Sequence, residues 1–335
     1  MNKIPASGEF SRAKSPLPIT EKFVDPDITL DGSTRARVRL ETLDTLWINT
    51  GTLCNIECVN CYIESSPTND RLVYLTHAET AAYFDEIEQL GLKTREIGFT
   101  GGEPFMNRDF PQMLTEALER GYEALVLTNA MQPMMRPRCR HALTDLQNRF
   151  GDKLTLRISL DHHSEEYHDK ERGPGAFQKS LEGMDWLTAN GFKLNVAGRT
   201  CWHEDEARSR AGYSDLFRAR NYQVDADNPA ELMLFPEMDE TADVPEITDA
   251  CWGILNVAPS SVMCASSRMV VKRKGATSPT VLPCTLLPYD PQFDMGDTLS
   301  ASLKADGGSF SNGAVKLNHP HCSKFCVLGG GTCSA

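Results

Sequence analysis

From Thr45 to about Pro236, short β-rich runs alternate with windows whose apolar residues recur at helical spacing, the pattern of parallel βα units. Strands are predicted at Leu46–Asn49, Glu96–Thr100, Ala124–Thr128, Thr155–Leu160, Leu194–Gly198 and Glu231–Phe235. Six such units make a barrel-like α/β sheet the expected core. The intervening helices carry their own signals. Thr76-His-Ala-Glu79 has the spacing of a capping box, Phe84, Ile87 and Leu90 follow on one face, and Gly91 supplies the stop. Phe110, Met113, Leu114, Ala117 and Leu118 repeat this logic before Gly121, as do Phe177, Leu181, Met184 and Leu187 before Gly191. These stripes are expected to be core and nothing more.

The flanks break the rhythm. Residues 1–44, rich in Pro, Ser, Thr and charge, read as an extended arm too short for a further folded domain. Residues 45–236 form the βα unit, and 237–250 (EMDETADVPEITDA) read as a solvated acidic linker. Residues 251–335 hold six of the eleven cysteines and few helical signals, so a small irregular domain organised by metal is expected there.

Composition narrows the function classes. With 34 basic and 46 acidic residues the chain carries a formal charge of −12, which argues against nucleic acid or an anionic membrane as a partner. No run reaches the ~20 apolar residues that span a bilayer. The cysteine count is odd and the N-terminal segment lacks an apolar signal run, so a reducing cytoplasm is expected, with cysteines as ligands rather than bridges.

Just beyond the first strand stands Cys54-Asn-Ile-Glu-Cys58-Val-Asn-Cys61-Tyr62, a C-x3-C-x2-C triplet. Three thiolates on one loop can converge on one centre, and soft ligands favour an iron–sulfur cluster or zinc. A structural zinc site wants four protein ligands, whereas a four-iron cluster on three cysteines leaves one iron open. The second strand then ends in Thr100-Gly101-Gly102-Glu103-Pro104, at the mouth where parallel barrels place their sites. Glycines let backbone approach a ligand, and a carboxylate accepts hydrogen bonds from an ammonium.

The triplet followed by this segment resembles the radical S-adenosylmethionine (radical SAM) superfamily, over about Thr45 to Pro236. The resemblance implies a partial (β/α)6 TIM barrel. It implies that Cys54, Cys58 and Cys61 hold a [4Fe–4S] cluster whose open iron is chelated by SAM, and that Gly101, Gly102 and Glu103 hold the methionine end. One position departs from the family, since the residue before the third cysteine is often aromatic and here is Asn60.

The strand at Thr155–Leu160 reads Arg157-Ile-Ser159-Leu-Asp161 at its end, and the next segment, His162–Gly173 (HHSEEYHDKERG), resembles a loop of larger family members. A period of two turns Ser159 and Asp161 to the mouth when Ile158 and Leu160 face the helices. Ser159 is assigned to SAM's ribose or carboxylate and Arg199 to pairing with that carboxylate, against the alternative of loop bonding or an ion pair. Thr128 and Asn129 are further lining candidates. His162, His163 and His168 are read as part of a structural loop rather than a metal site. Cys139 is expected in the core, and Cys201 in packing or pocket.

A second thiol set follows. Two β runs, Met269–Lys272 and Thr280–Leu282, flank a turn containing Gly275 and would bring Cys264 to Cys284, while Cys322 and Cys326 supply a later pair. This resembles the SPASM/Twitch extension of radical SAM enzymes, although the terminal pair is C-x3-C and the full seven-cysteine pattern is not met. The resemblance implies one auxiliary [4Fe–4S] cluster on Cys264, Cys284, Cys322 and Cys326, with Cys251 or Cys333 as substitutes. A zinc site on the same ligands is the alternative.

The family resemblance implies reductive cleavage of SAM to methionine and a 5′-deoxyadenosyl radical that takes hydrogen from a substrate, with the electron supplied by a flavodoxin or ferredoxin. An auxiliary cluster would favour net oxidation or bond formation. The short arm tilts the expected substrate to a small molecule. The alternatives are a peptide or protein maturase and a zinc-stabilised binding module. The Gly329-Gly330-Gly331 tail is expected as terminal coil.

Overall fold

The computed structural model describes residues 22–200, 202, 204–236 and 243–329; Cys201, Cys333 and most of the glycine tail lie outside them. Eight strands make one sheet in the order β7-β6-β5-β4-β3-β2-β8-β9. They are β2 (Thr45–Asn49), β3 (Glu96–Thr100), β4 (Glu123–Thr128), β5 (Leu154–Ser159), β6 (Lys193–Arg199), β7 (Leu232–Phe235), β8 (Ser267–Val271) and β9 (Thr280–Leu282). From β2 to β7 every neighbour is parallel and sequential, the open partial barrel expected from the six runs. The whole of β2 is buried, and Trp47 fills the space beside Gly98, where a Cβ would stand 2.4 Å from the indole.

Helices α1 (His77–Gln89), α2 (Phe110–Glu119), α3 (Gln132–Met135), α4 (Pro137–Phe150), α5 (Glu165–Arg172), α6 (Ala176–Ala189) and α7 (Glu206–Arg220) connect these strands. The α1 capping box forms with both reciprocal bonds between Thr76 and Glu79. Its buried face is Thr80, Tyr83, Phe84 and Ile87; Leu90, expected on that face, is the C-cap and is exposed where the helix ends. The stripes of α2 and α6 are buried as expected, and Cys139 on α4 is buried.

The flanking segments depart from the sequence reading. The hairpin β8–β9 joins the barrel sheet, β8 lying parallel to β2 with Thr45 opposite Ser267. Of the expected arm, the described part packs inward: β1 (Arg37–Val38) pairs with β11 (Ala314–Lys316), which pairs with β10 (Phe310–Ser311). Of the expected linker, residues 243–250 lie against the same segment. Val244 and Ile247 are buried, Thr248 bridges Arg35, and Glu246 pairs with the fully buried Arg35 at 2.5 Å. Short helices α8 (Cys251–Leu255) and α9 (Leu299–Ser302) and a π-helical turn at Cys322–Leu328 complete the C-terminal part. No helix among the described residues is long and apolar enough to cross a membrane.

Candidate active site

The carboxyl ends of β2 to β7 open into one cleft of about 1150 Å³, counting its open mouth. Cys54, Cys58 and Cys61 lie on its wall with Gly101, Gly102, Thr128, Asn129, Ser159, Asp161 and Arg199. The sequence-predicted residues are thus brought together, with one exception. Glu103 is buried behind the wall, where its carboxylate accepts from Thr128 Oγ1 at 2.9 Å, Asn129 N at 3.0 Å and Phe105 N at 3.3 Å. Burial pushes its carboxyl up to about 7 against those bonds.

The two glycines are demanded by the cysteine loop itself. A Cβ on Gly101 would stand 2.5 Å from the Gly51 carbonyl, and one on Gly102 only 2.2 Å from that of Leu53. Gly101 also holds φ at +143°. The Gly102 amide donates to Gly51 O at 2.7 Å and that of Glu103 to Leu53 O at 3.2 Å, so the two loops interlock one residue before Cys54.

Of the polar floor beside the cysteines, the sequence pattern named Asp161 and Arg199 but not Glu171 or Arg172. Segment 162–173, expected as a loop, contains α5, whose buried residues are His168 and Glu171. Arg172 pairs with Asp161 through Nε, and through Nη2 at 3.1 Å, and Arg199 Nε reaches Asp161 at 3.3 Å. Burial raises the Asp161 pKa, but the two guanidinium groups outweigh it and hold the carboxyl below its ordinary range. Arg199, expected at SAM's carboxylate, is held here by Asp161, by Asn60 O at 2.8 Å and by Glu171 at 3.9 Å. Glu171 in turn grips Asn60 twice, which accounts for the departure at that position. Tyr62 lies on the cleft wall.

Burial pushes the Cys54 thiol up to about 12 and that of Cys58 to about 11, Arg172 pulling the latter back. Isolated, these thiols would stay protonated; ligation to a metal displaces the protons. Three soft donors on the wall of one cleft, with glycine backbone beside them, fit a cluster held by three cysteines beside SAM.

Two of the three histidines share a cluster with a carboxylate. Ligand atoms of His162, His163 and Glu204 lie within 4.8 Å of one another, but the Ser164 backbone N–H donates to His162 Nδ1 at 2.9 Å. That fixes the ring proton on Nε2, facing Glu204 at 3.1 Å, so Nε2 has no lone pair to offer a cation. His168 is buried elsewhere, edge-on to Phe177, and burial pulls its pKa down to about 4.

Three thiols of the second set come together. Cys264 precedes β8 and Cys284 follows β9, and both act electrostatically on Cys322, whose thiol burial drives well up. Cys326 lies on the same π-helical turn as Cys322. Cys251 accepts from Thr248 N at 3.3 Å. Three buried thiols with a fourth four residues on fit an Fe–S cluster on that set. Leu286 and Phe325 from these segments form part of the first cleft's wall, and Phe325 stacks on Phe235 at 5.8 Å.

Residues 48–206 match the family described as the Radical SAM superfamily. Among curated proteins, the chain is 31% identical over 145 residues to the antilisterial bacteriocin subtilosin biosynthesis protein AlbA of Bacillus subtilis, covering 43% of this chain and 30% of that one. It is 29% identical over 150 residues to an Fe-coproporphyrin III synthase of Methanosarcina barkeri, covering 43% and 33%. The chain spans about a third of the length of the curated relatives it matches. Among solved structures, Streptococcus suis SuiB bound to S-adenosylmethionine shares the fold with a TM-score of 0.58 at 11% identity, over 79% of this chain and 66% of that one. The structure of anSMEcpe with bound AdoMet does so at 0.57 and 15%, over 78% and 81%. The matched segment contains the loops that bear Cys54, Cys58, Cys61, Gly101 and Gly102, and on that footing residues 48–206 form a radical SAM superfamily domain.

Proposed function

We propose that this chain reductively cleaves S-adenosylmethionine and passes the resulting radical to a substrate in the cleft, with a net oxidation or bond formation as the outcome. The observation that carries the reading is the meeting of Cys54, Cys58 and Cys61 with the backbone of Gly101 and Gly102 on one wall. Cys54, Cys58 and Cys61 would hold a [4Fe–4S] cluster there, which would supply the one-electron reduction that cleaves SAM to methionine and a 5′-deoxyadenosyl radical. The chain's own part is to hold SAM between Gly101–Gly102 and the Ser159 side of the mouth. The apolar residues Leu127, Phe235, Leu286 and Phe325 keep water from the space beyond. Cys264, Cys284, Cys322 and Cys326 would hold an auxiliary cluster, and a flavodoxin or ferredoxin would deliver the electron.

A small-molecule substrate suits a cleft walled on both sides by the same chain. A peptide substrate is the second reading, favoured because SuiB bound to precursor peptide SuiA and anSMEcpe with a bound peptide have this fold.

Anaerobic reconstitution with iron and sulfide, followed by reduction with SAM, should give 5′-deoxyadenosine and about eight irons per chain. Cys58→Ala should abolish the product and leave about four irons; undiminished turnover in that variant would refute the mechanism. Zinc in place of iron would establish the binding-module alternative. Product mass spectra with small molecules and with peptides separate the two substrate readings.

A further inference from the structure

Near the start of β8, between β2 and β9, stands an arginine. Arg268 is fully buried, opposite Leu46 in the parallel register. Its Nη1 donates to the carbonyls of Cys264 and Ser267, each at 2.7 Å, and its Nη2 to that of Gly313 at 3.4 Å, while Nε has no partner. No carboxylate among the described residues pairs with it. Arg35, likewise fully buried, is paired with Glu246, which shows what this chain does elsewhere with a cation it encloses. The groups that act on Arg268 electrostatically are the Cys264 and Cys284 thiols.

A buried guanidinium needs an opposite charge near it, because the interior does not solvate it. Neutral thiols supply none. Thiolates bound to iron do, since an Fe–S cluster on four thiolates carries a net negative charge that increases on reduction.

We propose that Arg268 is the internal counter-cation of the auxiliary cluster and holds its reduction potential up. This rests on the auxiliary-cluster reading of Cys264, Cys284, Cys322 and Cys326. A fixed positive charge beside a cluster stabilises the more negative, reduced state, one of the protein's levers on potential. Arg268 is a positioning and tuning residue; it does not line the SAM cleft.

The test compares Arg268→Lys with Arg268→Gln in reconstituted, anaerobic holoenzyme, reading iron per chain and the midpoint potential of each cluster by EPR-monitored titration. The expected result is a lower midpoint for the auxiliary signal in Arg268→Gln, an unchanged midpoint for the SAM-cluster signal, and near-parental values in Arg268→Lys. Loss of about four irons in the glutamine variant alone would equally support the charge role. Parental potentials in both variants would overturn it, as would loss of the auxiliary iron in both, since the lysine keeps the charge. If the parent itself holds about four irons and Cys322→Ala leaves them in place, the auxiliary-cluster reading fails first, and the role of Arg268 falls with it.

Discussion

The carboxylate of Glu171 accepts two hydrogen bonds from Asn60, from the backbone nitrogen at 2.8 Å and from the side-chain amide at 2.9 Å. The Glu171 carbonyl also accepts from Val59 N at 2.9 Å. These contacts fasten α5 to the loop between Cys58 and Cys61. An aromatic residue at position 60 could offer only the backbone half of this grip. Glu171→Ala would leave half-buried donors on Asn60 without their partner, a cost of up to ~1 kcal/mol, at the low end of the range for buried groups. Loosening a group that orients metal ligands costs about 10–100-fold in affinity or activity. We expect a loss of that order in SAM cleavage together with reduced iron at the first site. Iron content and turnover equal to the parent's would show that the clamp does not position the loop.

Gly102 meets the cysteine loop more closely than any side chain could tolerate. Its Cβ position is 2.2 Å from Leu53 O and 2.7 Å from Thr52 O, both backbone atoms without freedom to yield. Gly102→Ala should therefore destabilise the fold by ~1–3 kcal/mol through overpacking and displace Cys54 with its loop. Gly253→Ala is the control, because its Cβ meets nothing within 4 Å and it lies in α8. Thermal melts of the two variants should separate; equal melting temperatures would contradict the interlock.

Glu103 predicts a pH dependence of definite sign. Its folded pKa of about 7 lies above the 4.5 of an unperturbed glutamate. The folded state thus binds this proton more tightly than the unfolded chain does. Its contribution is full below 4.5 and is lost as pH rises through 7, a change on the order of 3 kcal/mol. Asp161 acts in the opposite sense, and only below its ordinary 3.8, so it does not interfere in this window. Glu103→Gln should flatten the fall in melting temperature between about pH 5 and about pH 8. An unaltered pH profile in that variant would mean that Glu103 does not carry the titration.

What the sequence made legible follows from range. All six barrel strands were predicted to within about a residue, because a buried parallel strand is a short apolar run bounded by local turn and cap signals. The cysteines and the two glycines were equally plain, since their chemistry is in their identities and spacing. Segment 162–173 was opaque for the opposite reason. The helix α5 buries His168 and Glu171, not an apolar stripe, and their setting is made by Asn60 and Phe177 from other elements. The same holds for β1, a two-residue strand whose partner β11 is some 280 residues away, and for β8, whose place beside β2 no local pattern announces.

Arg172 is where the polar floor and the first thiol set meet. Its guanidinium grips Asp161 and draws the Cys58 thiol down against burial, and it lies on the cleft wall. Arg172→Met would leave Asp161, which is 2% exposed, with Arg199 at 3.3 Å as its remaining counter-charge. Breaking a buried pair from one side costs ~3–5 kcal/mol, and Arg199 should recover part of that. Cys58 would lose a cation that favours its thiolate, so iron bound at the first site should fall as well. Arg172→Lys keeps the charge but not the planar fork that makes two bonds to one carboxylate, and should lie between the parent and Arg172→Met in both melting temperature and iron. The three proteins measured side by side decide the matter: if Arg172→Met melts and binds iron like the parent, Arg199 alone suffices to hold Asp161 and the charge beside Cys58 is dispensable.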